Sequence, residues 1–232
     1  ELDYTSDVLT GGSKSFFKDG TMSESSDFDE NGKENGIFKE YYPNGKLYAG
    51  LTYKNGDINS YAFYDEDGGV LSEGKKKGKR LNYLRIDSNG YKNLEGEFVK
   101  GVRDGEWKIT GPRGVIYSNL NYDEGKLNGP QKRYFSHGQT SKEYDCIAGN
   151  IEGLYKTYAN GNPSIVTYEG IFTNNNKEGR FLERNKMGTL LDEEYYVNGE
   201  TDGWQVYHTQ KGILARESYT KDGYFLGIIT YD

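Results

Sequence analysis

The 232-residue chain carries a formal charge of −7 and 34% hydrophobic residues, yet 15% of it is aromatic and 32 residues are glycine. The apolar share is well below the ~45–50% of an ordinary globular domain, but disordered chains are poor in rings, and this one has 22 Tyr and 10 Phe. The composition argues against disorder, and the acidic balance argues against general nucleic-acid binding, which needs a basic footprint.

The single cysteine, Cys146, allows no internal disulfide. No stretch approaches the ~18 apolar residues of a membrane-spanning helix. The chain opens at Glu1 with neither methionine nor an apolar leader. Both a cytoplasmic location and an exported one with its leader removed are therefore open readings.

In chain order, residues 1–10 read as a lead-in, and a repeating frame begins at Gly11 and closes at Gly20. Its clearest copy is Gly36-Ile37-Phe38-Lys39-Glu40-Tyr41-Tyr42-Pro43-Asn44-Gly45. Weaker copies start at Asn59 and Leu81, where the opening glycine is missing. Further copies open at Gly105, Gly129, Gly153, Gly179 and Gly203, and a last one begins at Gly227. The closing glycines (20, 45, 68, 90, 114, 138, 161, 188 and 212) step by 22 to 27 residues. So steady a period marks a tandem array.

Each copy holds two strand-length runs. The first carries a ring two places after the opening position, as in Phe38, Tyr61, Tyr83, Trp107, Tyr155 and Phe181, and often another three places later, as in Tyr41, Tyr64 and Tyr158. Gln131 and Gln205 replace the first ring in two copies, and Arg184 and His208 replace the second in two. The two offsets differ in parity, so one ring is expected at a bulge or in the turn. The second run alternates in period two, as in Leu47, Ala49, Leu51 and Tyr53. Asn-Gly and Asp-Gly pairs such as Asn44-Gly45, Asn55-Gly56 and Asn198-Gly199 separate the runs and suit primed hairpin turns. The opening glycine is expected to let a neighbouring ring lie on bare backbone.

The fold class is therefore all-β: an elongated tandem array of antiparallel hairpins of about 24 residues each, forming a twisted single-layer sheet. The reading is of a single repeat domain over residues 1–232, with about nine to ten units. Two or three rings per unit cannot offset the entropy of ordering one hairpin, so neighbours must share contacts.

The frame from Gly36 to Gly45 resembles the MORN repeat, and more closely its bacterial variant in YwqK-like antitoxins. That resemblance covers essentially the chain from Gly11 onward. It implies an elongated hairpin sheet with a non-catalytic role: toxin neutralisation in the bacterial branch, scaffolding or membrane-lipid contact elsewhere.

Chemistry-bearing residues are sparse. His137 and His208 lie three repeats apart, too far to converge on one site. Cys146 sits within a strand-like run and reads as a packed small residue. Asp27, Asp29 and Glu30, like Asp192-Glu193-Glu194, lack the spacing of a calcium loop. The run Lys75-Lys76-Lys77 with Lys79 and Arg80 reads first as a solvated turn and second as a phosphate or anionic-lipid patch. No catalytic, cofactor or metal residue is assigned. The expectation is a scaffold that binds a protein partner, such as a cognate toxin; the alternative is a surface module contacting lipid head groups or glycans. Choline- and glucan-binding hairpins use rings as cages, but they spend several Trp per unit, and this chain has two in all.

Overall fold

The structure is a computed structural model that describes residues 2–5 and 8–231, with side chains from Leu9 to Tyr231. The chain is all-β, built of consecutive antiparallel hairpins in two sheets, neither closed into a barrel. It divides into two compact units, residues 1–114 and 115–232.

Unit 1 holds β1 (Leu2–Thr5), β2 (Val8–Phe16), β3 (Met22–Phe28), β4 (Gly36–Tyr41), β5 (Leu47–Lys54), β6 (Asp57–Tyr64) and β7 (Val70–Lys75), hydrogen-bonded in chain order. After a break come β8 (Arg80–Ile86), β9 (Lys92–Val99) and β10 (Val102–Thr110). Unit 2 continues with β11 (Ile116–Asp123), β12 (Lys126–Leu127), β13 (Gly129–Tyr134), β14 (Thr140–Ile147), β15 (Asn150–Ala159) and β16 (Asn162–Thr173). It ends with β17 (Asn176–Arg184), β18 (Leu190–Val197), β19 (Glu200–Thr201), β20 (Gly203–His208), β21 (Leu214–Lys221) and β22 (Tyr224–Thr230). Its order also follows the chain, with the short β12 and β19 set beside β11 and β18.

Two turn types alternate, and here the expectation of primed turns needs correcting. At seven of the nine closing glycines (20, 45, 68, 90, 138, 188 and 212) the loop is a type I turn followed by a glycine bulge. Gly45 N–H donates to Tyr42 C=O at 2.9 Å, Tyr42 N–H donates to Lys46 C=O at 2.8 Å, and only the glycine has positive φ (81°). Primed geometry belongs to the connections between hairpins, where both residues are left-handed: Asn55 and Gly56 at 54° and 85°, Asn198 and Gly199 at 49° and 88°.

The parity question resolves on the partner strand. Glu40 faces Ala49 while Tyr41 faces Leu47, so Tyr48 is an extra residue on β5. The same one-residue bulge recurs three places after the closing glycine at Leu71, Asn93, Ser141, Leu191 and Ala215. The rings at two and five places do point apart: Tyr61 is buried, while Tyr64 lines the opposite face. The bulge turns Tyr48 and Ala49 inward together, and both are buried.

Rings do lie on bare backbone, but against a glycine of the second strand rather than the opening one. A Cβ on Gly96 would collide with the Trp107 ring, and one on Gly170 with the Phe181 ring. At Trp107 and Phe181 the ring two places into one repeat thus covers the second strand of the repeat before it, whereas Tyr61 lies on Gly74 of its own repeat. The result in unit 1 is a ladder of centroids 4.8–6.2 Å apart through Tyr48, Phe63, Tyr61, Tyr83, Phe98 and Trp107. Each such contact contributes ~0.5–1.5 kcal/mol beyond area burial.

Between β7 and β8 no ladder forms, and side-chain hydroxyls bridge to β8 only at Leu84 and Ile86. Leu84 N–H donates to Tyr61 Oη at 3.0 Å, Ser72 Oγ donates to Leu84 C=O at 2.7 Å, and Tyr48 Oη donates to Ile86 C=O at 2.6 Å. These bonds hold the buried Tyr83 of β8 against Tyr61 and Phe63, and Leu81 is buried on the same strand.

Candidate functional site

Alternation sends the residue two places into each repeat to the packed face of its hairpin and leaves the middle of the other face open. On the open face of unit 1 the register sets Lys39, Gly50, Ala62 and Glu73 in one row across β4–β7. Ile37, Thr52, Ser60 and Lys75 form the next row. Nothing in the middle of either row is larger than threonine, so the rows sink into a trough of about 590 Å³ flanked by Leu47 and Tyr64. Thr52 Oγ1 and Ser60 Oγ share a hydrogen bond of 2.6 Å across its floor.

Two further cavities adjoin it. One of about 480 Å³ lies at the β7–β8 break, with Tyr61 and Gly74 at its base and Lys75, Lys77, Arg80 and Asn82 around it. The other, about 530 Å³, continues over β8–β10 past Asn82, Leu84, Glu95, Glu97 and Lys108. Tyr61 lines all three. Together they form an extended concave surface on unit 1.

The open face of unit 2 is occupied differently. Its register places Lys132, Glu143, Lys156, Glu169, Leu182, Glu193, Val206 and Glu217 in one row, with one glutamate per repeat. Lys132 pairs with Glu143 at 3.6 Å, Arg184 with Glu169 at 2.8 Å and Arg180 with Glu193 at 2.7 Å. The Arg180 bonds hold the Glu193 carboxyl below its usual range. A cavity of about 220 Å³ remains beside Lys132, Glu143 and Leu154.

The residues singled out in the sequence stay apart. His137 stacks on Phe135 at 5.7 Å and contacts Gln139 in an exposed turn, while His208 Nδ1 lies 3.4 Å from Leu191 C=O. Cys146 is free and buried, and burial, reinforced by Asp145, pushes its thiol pKa up. Asp29 accepts from Asn31 and Lys33 N–H, which makes it a turn residue. Glu194 accepts from Tyr196 and Tyr207 hydroxyls, and burial followed by the Glu194 charge raises Asp192. Among the described residues no group of three or more His, Cys, Asp or Glu is placed to hold a metal.

The rings themselves are taken up by core packing and by the chain's own cations. Lys177 Nζ lies 4.2, 4.9 and 5.6 Å from the Tyr196, Phe181 and Tyr168 centroids and donates to Tyr196 Oη at 3.0 Å. Arg85 sits over Tyr48 and Phe63 and pairs with Glu40 at 3.0 Å. Sequence reading missed the break and its cavity. Its signal was Leu81, an apolar residue at an opening position that glycine holds in most copies.

No family model and no curated protein matches the chain. Among solved structures, the crystal structure of TcdB2-TccC3-Cdc42 aligns at 11% identity and a TM-score of 0.17, covering 92% of this chain. The chain spans 14% of that one's length, and the likeness is too slight to carry an argument.

Proposed function

We propose that the chain is a non-catalytic scaffold of MORN-type repeats that binds a protein partner, with toxin neutralisation as the role its resemblance implies. The observation that carries this reading is the continuous run of cavities on the open face of unit 1. Small side chains floor it, and charged ones rim it. Such a surface spans several strands and suits an extended protein contact better than a small ligand, which is usually held in a deeper, mostly apolar pocket. The own-cation contacts at Lys177 and Arg85 support a packing role for the rings over a sugar or choline cage.

The test is co-expression and co-purification with the product of the adjacent gene. A stable 1:1 complex and relief of that product's toxicity are expected. Failure to form a complex, together with undiminished toxicity, defeats the reading.

A further inference from the structure

We propose that the slot between β7 and β8 takes an extended acidic segment of the protein partner, added as a strand to the free edge of β7; this rests on the protein-binding reading above.

The edge follows from the hydrogen-bond phase. Lys76 N–H donates to Asn59 C=O at 2.8 Å, and the register continues as Lys75 with Ser60, Gly74 with Tyr61 and Glu73 with Ala62. In an antiparallel ladder, bonded and non-bonded pairs alternate. Gly74 therefore bonds to β6, while Glu73 and Lys75 turn their N–H and C=O groups away from it, into the slot. On the other wall Lys100 N–H donates to Lys79 C=O at 2.7 Å, so Arg80, Asn82 and Leu84 face the slot. Arg80 is bridged to Lys77, and Leu84 is taken by Tyr61 and Ser72. The β7 wall has no ladder partner among the described residues. A lipid head group or a phosphate cannot satisfy two strand groups in register, whereas a peptide can.

Charge selects the segment. Lys76 is held by Asp57 at 3.0 Å and Arg80 by Glu97 at 2.5 Å. Lys75, Lys77 and Lys79 have no ion-pair partner among the described residues, and all three are exposed. Glu73 is the remaining acidic group on the lining, so the rim keeps an excess of positive charge. Lysines also blunt sheet edges against aggregation; if that is their whole role, the slot binds no peptide.

The experiment uses the full chain and a short labelled peptide alternating Glu and Val. Comparison probes are its Lys-Val counterpart, the Glu-Val peptide N-methylated at alternate residues, and vesicles of phosphatidylserine and phosphatidylcholine. The Glu-Val peptide should bind, protect the Glu73 and Lys75 amides from hydrogen exchange, and weaken about tenfold or more with Lys75→Glu, Lys77→Glu and Lys79→Glu together. The Lys-Val and N-methylated peptides should bind about tenfold more weakly or not at all. The proposal is overturned by no peptide binding, by binding indifferent to N-methylation or to the charge reversal, or by binding to vesicles alone. A cognate partner that tolerates the triple reversal overturns the slot assignment and leaves the scaffold reading standing. If the parent chain binds the Glu-Val peptide as described but forms no complex with the adjacent gene product, the scaffold reading loses that partner and the slot chemistry stands.

Discussion

At the same place in the repeat, two after the opening position, unit 1 sets Tyr61, Tyr83 and Trp107, and unit 2 sets Gln131, Tyr155, Phe181 and Gln205. Both solutions are buried. Trp107 and Gln131 are each 0% exposed, and Gln205 is 3% exposed. Unit 1 fills its interior with rings because the break lets β8 fold Tyr83 onto the face of β6. In unit 2 the matching inner row across β13–β18 reads Arg133, Lys142, Thr157, Tyr168, Glu183 and Asp192, none of them buried. Buried amides there take over part of the ladder. Gln131 Oε1 accepts from Asn121 N–H and its Nε2 donates to Asn121 and Gly129 C=O, each at 3.0 Å. The repeat frame fixes turns and register; what covers a face decides whether a ring or an amide fills it.

The strongest test of that contrast is ring removal. Phe63→Ala should cost ~3–5 kcal/mol, and Phe181→Ala should fall near ~3, because the half-exposed Tyr168 and Tyr196 beside Phe181 can relax into the space. Denaturant unfolding read by hydrogen exchange should place each loss in its own unit first. A larger loss at Phe181 would break the comparison.

Alkaline pH separates the units by cause. Burial pushes Tyr83 up to about 12 in unit 1, and Tyr158 rises to about 12 in unit 2 through burial and then its hydrogen bond to the Glu143 carboxylate. The unfolded chain releases a tyrosine proton near ~10, so this stability is intact below pH ~10 and drains as pH climbs through the folded values. For the well-buried Tyr83 the amount is on the order of 2–3 kcal/mol. Glu143→Gln should bring forward the ionisation of one tyrosine in a 295 nm titration and leave Tyr83 in place. If both move, the causes are shared.

Much of this was legible in the sequence, and the gaps have physical reasons. The frame, the hairpins and the ring positions followed from spacing alone, because glycine with positive φ and alternating runs are local requirements. Turn type at Asn44-Gly45 was misread because the same pair serves two loops, and loop length, set by the Tyr42–Lys46 pairing, decides between them. Primed turns at Ala148-Gly149 and Glu124-Gly125 carry no Asn or Asp signal. The trough and the slot depend on which faces meet in three dimensions, and the sole local trace was Leu81 in place of a glycine.

The amide solution is tested at Gln131. Gln131→Leu keeps the volume but strands the half-buried Asn121 N–H, whose C=O keeps Asn128 N–H as a donor, and this should cost ~1–3 kcal/mol. Gln131→Phe, which restores the commoner residue, should recover less than the ring's burial suggests, because the Asn121 N–H remains unpaired. Equal stability of Gln131→Phe and the parent would mean that the polar interior of unit 2 is incidental.

The smallest effect probes the break itself. Tyr48 is buried, and its hydroxyl donates to Ile86 C=O, a strand group that no ladder satisfies. Tyr48→Phe should cost ~0.5–1.5 kcal/mol and should speed exchange of the β8 amides, because a buried carbonyl loses its donor while the ring stays packed. Tyr207 in unit 2 bonds Glu194 at 3.2 Å from a half-exposed position. Water can replace it there, so Tyr207→Phe should stay within about 0.5 kcal/mol. Equal costs for the two would show that the hydroxyls across the break are no more than surface bonds. A Tyr48 loss confined to β8 would show that side chains there do the work of the missing ladder.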